Sequence, residues 1–216
     1  MIKAVIFDMD GTVLNTIDDI HQSVNVALQK MGYPLKSLND VKRAVGSGAK
    51  TLIERVVPID IKPAEIIKTY EIYQTHYDKH SMDHTAPYPD ILKLLKTLKG
   101  RGYQLAVVSN KHQYLVKALN DQMFEGLFEV SVGEVKGVLV KPATDMLYSA
   151  LNQLNINKEE AIFVGDSDID MITAKNADMI SVAVTWGFRD LNTLKSLSPH
   201  FIINQPLELL ELLERI

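Results

Sequence analysis

Asp8-Met9-Asp10-Gly11-Thr12 sets two carboxylates two positions apart directly behind the apolar run Val5-Ile6-Phe7. A loop at the end of a buried strand can aim both at one small volume, where ionised carboxylates repel and are relieved by a divalent cation or a shared proton. The same five residues would also serve as a solvated turn, with Gly11 permitting the bend. Two further apolar runs end in comparable chemistry. Ala106-Val107-Val108 meets Ser109-Asn110, and Ile162-Phe163-Val164 meets Gly165-Asp166-Ser167-Asp168-Ile169-Asp170. If the three runs are parallel strands, their carboxyl ends share one sheet edge, where open α/β folds bind their ligands.

The residue types at that edge are those of phosphoryl chemistry. Asp166 can complete an oxygen shell for Mg²⁺ with Asp8 and a backbone carbonyl. Its alternating acids also mimic the start of a calcium loop, but Met171 stands where that loop needs glycine and Ala177 where it needs a bidentate Glu. Asp168 and Asp170 could equally cap the helix that follows. Ser109-Asn110 is expected to close a strand and open a helix, offering a hydroxyl and N-terminal amides to a phosphoryl oxygen, or acting as an ordinary N-cap. Lys141-Pro142 places a cation immediately before a helix with Pro in its first turn, though alone it reads as a surface lysine.

The elements that must position these groups follow from periodicity. Ile17, Ile20, Val24, Leu28 and Met31 recur at helical spacing behind Thr16, Asp18 and Asp19, and Gly32 ends that helix. Further helices are predicted over about 50–57 and 63–80, the second with Ile66, Tyr70, Tyr73 and Tyr77 on one stripe. No strand signal interrupts residues 15–80. From residue 89 onward helices and strands alternate: strands over 104–108, 128–132, 161–164, 180–184 and 201–203, helices over 89–99, 113–123, 143–154, 168–175 and from 206. That alternation argues a doubly wound, Rossmann-like parallel sheet of the α/β class. The predicted division is a core of residues 1–14 and 82–216 carrying an inserted α-helical cap over 15–81.

Length and composition agree with such a chain. Its 216 residues, 46% hydrophobic and 23% charged, suffice for one core with an inserted subdomain. A net charge of -4 gives no basic field for nucleic acid or an anionic membrane, so a phosphate ligand must find local cations. Without cysteine there is no disulfide framework, thiolate metal site or thiol nucleophile. The run Ile2–Phe7 is too short for a signal-peptide core, and no stretch approaches the roughly 20 apolar residues of a membrane helix, so a cytoplasmic address is expected.

In combination, the four motifs resemble the haloacid dehalogenase superfamily of phosphohydrolases. VIFDMDGTVLNT, YPDILKLLKTLKGRGYQLAVVSNK, KPATDMLYSAL and IFVGDSDIDMITAKNA are similar to its phosphoglycolate phosphatase-like group with an α-helical cap, over nearly the whole chain. The resemblance implies that Asp8 attacks phosphorus to form an aspartyl phosphate, and that Asp10 protonates the leaving oxygen and later deprotonates water. It implies Mg²⁺ held by Asp8, the backbone carbonyl of Asp10, and Asp166, with Ser109 and Lys141 on the transferring oxygens. Asp170 fits a place orienting Lys141 or a metal-bound water. Thr12, Asn110 and the loop Gly46-Ser47-Gly48 are assigned to the substrate, with Arg55 one anion contact, although the Gly-rich loop would also serve as a plain turn into a helix.

Thr144 replaces a second proline more usual after Lys141-Pro142-Ala143, and the stretch Glu134 to Val140 is atypical for the group. The expected partner is a small phosphorylated metabolite, with 2-phosphoglycolate first. Related activities are a phosphosugar mutase of β-phosphoglucomutase type, a pyrophosphatase or a 5′-nucleotidase; the non-enzyme alternative is a catalytically silent binding protein. Dehalogenation leaves Asp10 without a task. The pairs His76/His80 and His80/His84 have metal-binding spacing without a completing pattern, His112 stands three residues after Ser109, and Trp186 and the tyrosine stripe read as packing.

Overall fold

The computed structural model describes residues 1–216. Strand β1 (Ala4–Phe7) leads through the short β2 (Leu14–Asn15) into four helices: α1 (Ile17–Lys30), α2 (Leu38–Ala44), α3 (Ala49–Val56) and α4 (Pro63–His80). The chain returns through β3 (Ala86–Pro87), which pairs antiparallel with β2 as Leu14↔Pro87 and Asn15↔Ala86. There follow α5 (Ile91–Gly100), β4 (Gln104–His112), α6 (Gln113–Phe124), β5 (Val130–Glu134) and α7 (Asp145–Leu154). The last part comprises β6 (Ala161–Gly165), α8 (Asp168–Asn176), β7 (Ile180–Val184), α9 (Leu191–Ser196), β8 (Phe201–Ile203) and α10 (Glu208–Leu213).

Six strands form one sheet in the order β5-β4-β1-β6-β7-β8, every pair parallel. The chain winds outward from β1 in both directions, so the end of β1 is the switch point at which open α/β sheets leave a crevice. Alternation along each strand splits the core into two layers. Val5, Phe7, Leu105, Val107, Ile162 and Val164 join one apolar cluster with α5, α6 and α10. Ala4, Ile6, Ala106, Val108, Ala161 and Phe163 face the other, chiefly against α7. Because both faces are covered, these strands read as unbroken apolar runs.

The helices α1 to α4 pack on each other around a separate cluster that includes Ile20, Val24, Leu52, Ile53, Tyr73 and Tyr77. Two helices have no counterpart in the periodicity reading, α2 and α9. Both are short and are specified by caps: Ser37 accepts from the Asp40 amide and Asp190 from the Thr193 amide. Two motif boundaries also differ. Strand β4 runs on through Ser109 and Asn110 to His112, with an irregular register after Val108, so α6 opens at Gln113 and Ser109 is not its N-cap. The helix after Lys141-Pro142 begins at Asp145, so Pro142 precedes the helix instead of lying in its first turn. No helix is long and apolar enough to cross a membrane.

Candidate active site

Asp8 continues the ladder of β1, its amide donating to the Val164 carbonyl at 2.8 Å, so its side chain emerges at the switch point. Carboxylate oxygens of Asp8, Asp166 and Asp170 all lie within 4.8 Å of one another, each residue buried. Two glycines make room for the second of these: a Cβ at Gly187 would stand 2.2 Å from the Asp166 Cβ, and one at Gly11, where φ is +90°, 2.4 Å from its carboxylate oxygen. Asp166 accepts from the Phe188 amide at 2.7 Å and from the Thr12 hydroxyl at 3.2 Å.

A single buried cation serves this group of acids. Lys141 Nζ donates to Asp8 Oδ1 at 2.6 Å, to Asp170 Oδ1 at 2.7 Å and to the Val108 carbonyl at 3.0 Å. Burial alone would lower its pKa, but Asp170 and Asp8 outweigh that and hold it above the ordinary lysine value. The acids show the opposite imbalance. Burial, then repulsion from Asp170, raises Asp8 well above the usual carboxylate range despite Lys141, and the same two causes push Asp166 up to about 7. Three crowded carboxylates facing one ammonium, with oxygen atoms close enough to share an ion, fit a hard divalent cation.

Asp170 has two tasks. Its Oδ2 accepts from the Ser167 amide and hydroxyl, closing a capping box at the start of α8, while Oδ1 holds Lys141. Asp168 stands apart, paired with Arg189 at 2.8 Å. Asn110 clamps the Lys141 backbone by two reciprocal 2.8 Å bonds and donates to the Gly46 carbonyl at 3.0 Å.

Beyond the acids lies a cavity closed on one side by α3, α4 and the loop before α3. The structure brings Asp8, Asp10, Ser109, Asn110, Lys141 and Asp166 to its wall, with Gly46 and Gly48 opposite. Other expected site residues lie elsewhere. Ser47 does not line the cavity; its hydroxyl accepts from Arg55, which also donates to the Ala44 carbonyl, so the pair tightens the loop. Thr12 is fully buried, does not line the cavity, and donates its hydroxyl to Asp166, bracing that acid. The Asp10 carboxyl is outside the carboxylate cluster and lies 3.2 Å from Lys111 Nζ.

Several participants carry no motif. Tyr73 and Tyr77 of the tyrosine stripe line the cavity as well as packing, Arg189 reaches it from the loop after β7, and Trp186 fastens the Thr12 carbonyl by a 3.0 Å bond. His112 lines the cavity and meets the Tyr70 hydroxyl at 2.8 Å, joining the end of β4 to α4. His76 and His80 stack with centroids 4.3 Å apart outside it, and no third ligand joins them.

Comparison with known proteins agrees with this architecture. A phosphoglycolate phosphatase of Aquifex aeolicus is 30% identical over 98% of this chain and 97% of its own. A crystal structure from Lactobacillus delbrueckii subsp. bulgaricus, 32% identical, superposes with a TM-score of 0.92 over 96% of each chain. One from Haemophilus somnus 129pt, described as a predicted phosphoglycolate phosphatase, does so at 0.90 with 26% identity over 98% of this chain and 97% of its own. Residues 5–184 match the haloacid dehalogenase-like hydrolase model, and with the switch-point acids and Lys141 in place, the chain belongs to the haloacid dehalogenase-like hydrolase family.

Proposed function

We propose that this protein is a Mg²⁺-dependent phosphatase that hydrolyses a small phosphate monoester through an aspartyl phosphate on Asp8, with 2-phosphoglycolate the leading substrate. The observation that carries the reading is Asp8 at the switch point, 2.6 Å from Lys141 Nζ and crowded by Asp166 and Asp170. A phosphate dianion cannot be approached by an anionic nucleophile unless positive charge screens the encounter. Lys141 supplies part of that charge. Carboxylates of Asp8 and Asp166 with the Asp10 carbonyl would hold Mg²⁺, which when bound neutralises charge on the transferring oxygens.

The chain's own residues then account for each proton and bond. The Asp8 carboxylate forms a bond to phosphorus as the bond to the leaving oxygen breaks, and Asp10 gives its proton to that oxygen. Asp10, now ionised, takes a proton from water; the water oxygen bonds to phosphorus, and the Asp8–phosphoryl bond breaks to release phosphate. Ser109 and Lys141 hold the transferring oxygens, and Asp170 keeps Lys141 aimed. Residues 15–81 act as a cap over a core of 1–14 and 82–216, excluding bulk water from the intermediate. The reading includes a small phosphorylated metabolite as partner and a cytoplasmic place of work; the net charge of -4 speaks against a nucleic-acid partner.

The test is kcat/KM over a panel of phosphoglycolate, pyrophosphate, nucleotides and hexose phosphates, with Mg²⁺ and with chelator. Phosphoglycolate should lead and chelator should abolish turnover. Inertness toward every phosphate ester would refute the reading, and transfer of the phosphoryl group to a sugar phosphate in place of water would favour the mutase.

A further inference from the structure

The cavity holds three long cationic side chains, and they differ in what engages them. Lys141 has all three N–H donors on oxygen: Asp8, Asp170 and the Val108 carbonyl. Arg189 donates to Asp168 and to the carbonyls of Lys42 and Val45. Lys111 is different. Its side chain is 7% exposed, and its one hydrogen bond is to a neutral partner, the Tyr77 hydroxyl at 2.6 Å. The nearby Asp10 Oδ1, 3.2 Å away, is badly aligned and has no hydrogen-bond partner at all. Two ammonium donors therefore remain unengaged in a nearly dry place, as does the proton of the Tyr77 hydroxyl, which already accepts from Lys111.

Position gives this cation a task. Ser109 and Lys111 are two residues apart near the end of β4, and both line the cavity. With the phosphoryl group at Ser109, Lys111 stands where the leaving group must lie, beside the residue that protonates it.

We propose that Lys111, assisted by Tyr77, is a specificity-determining residue that receives a carboxylate on the leaving group, so that the enzyme selects short phosphorylated hydroxy acids over neutral phosphate esters. This rests on the phosphatase reading above and adds a named residue for its selectivity. A carboxylate converts the unengaged donors into charge-assisted bonds, whereas a neutral polyol offers them only neutral acceptors.

The test compares kcat/KM for 2-phosphoglycolate with that for its neutral analogue 2-hydroxyethyl phosphate, using the whole protein with Mg²⁺. Wild type should favour the charged ester by about a hundredfold. Lys111→Met should reduce that ratio below about fivefold, and Lys111→Arg should keep most of it. A ratio unchanged in Lys111→Met would overturn the proposal. So would a parallel loss on both esters, which would make Lys111 a positioning residue for Asp10. A second measurement needs no variant: glycolate should inhibit wild type competitively and ethylene glycol at equal concentration should not, and equal or absent inhibition would overturn it as well. Wild type inert on both esters would instead bring down the phosphatase reading beneath it.

Discussion

Arg189 Nη2 donates to the Val45 carbonyl at 2.6 Å, joining a loop at the edge of the parallel sheet to the end of α2 in the helical segment. The same guanidinium donates to the Lys42 carbonyl at 2.7 Å and is held from behind by Asp168 at 2.8 Å. A cation at a helix C-terminus meets carbonyls that have no partner within the helix and the negative end of the dipole. The link fastens one wall of the cavity to the other.

Arg189→Ala should therefore loosen α2 and the loop to Gly48 without unfolding the sheet. Hydrogen exchange should show amides of residues 41–48 exchanging about tenfold faster while β1 and β6 keep their protection. Unchanged exchange over 41–48 would mean that the link contributes nothing.

Asp19 fixes the opposite side of the helical segment. It is 1% exposed and accepts from the His84 amide at 3.0 Å, the Thr85 amide at 2.9 Å and the Thr85 hydroxyl at 2.7 Å. Asp19→Ala strands these donors and should cost about 3 kcal/mol, read as a shift in denaturant midpoint and a Tm lower by roughly 10 °C. Asp19→Asn should lose less, and equal Tm values for Ala and wild type would contradict the assignment.

The crowded acids predict a pH effect on the metal-free protein. Asp166 titrates near 7 when folded, well above its ordinary value, so between about pH 4 and 7 the folded state keeps a proton the unfolded state has lost. Stability without metal should thus fall as pH rises through that window. Mg²⁺ held by Asp8 and Asp166 as proposed would displace the proton, so its stabilising shift in Tm should grow toward pH 7 and level off above it. Asp166→Asn should shrink the decline to the share carried by Asp8, whose carboxyl burial also raises, and weaken the Mg²⁺ response; a Mg²⁺ shift equally large at pH 5 and pH 8 would contradict the charge argument.

Much of this was legible in the residues. The apolar runs before Asp8, Ser109 and Asp166 identify buried parallel strands because both faces of the sheet are covered, and their shared direction brings the motifs to one edge. The sequence leaves Asp170 open between capping α8 and orienting Lys141 or a metal-bound water, and the residue both caps the helix and holds Lys141. What escaped is what spacing does not encode. Lys111 looks like any lysine until the fold sets Tyr77, 34 positions away, over it. Arg189 sits in a loop whose partners are backbone carbonyls, which leave no pattern in side-chain types. Nothing in the local pattern around Thr12 shows that its hydroxyl donates to an acid 154 positions distant. Helices of six or seven residues such as α9 and α2 span under two turns, too few for a period to register.

The central claim is a covalent phosphoryl group on Asp8, and acid quenching during turnover followed by peptide mass mapping tests it directly. The account predicts one phosphoryl group on the peptide carrying Asp8, accumulating in Asp10→Asn where hydrolysis of the intermediate slows, and no label or turnover in a folded Asp8→Asn. Undiminished hydrolysis by Asp8→Asn, or label recovered on a different residue, would contradict it.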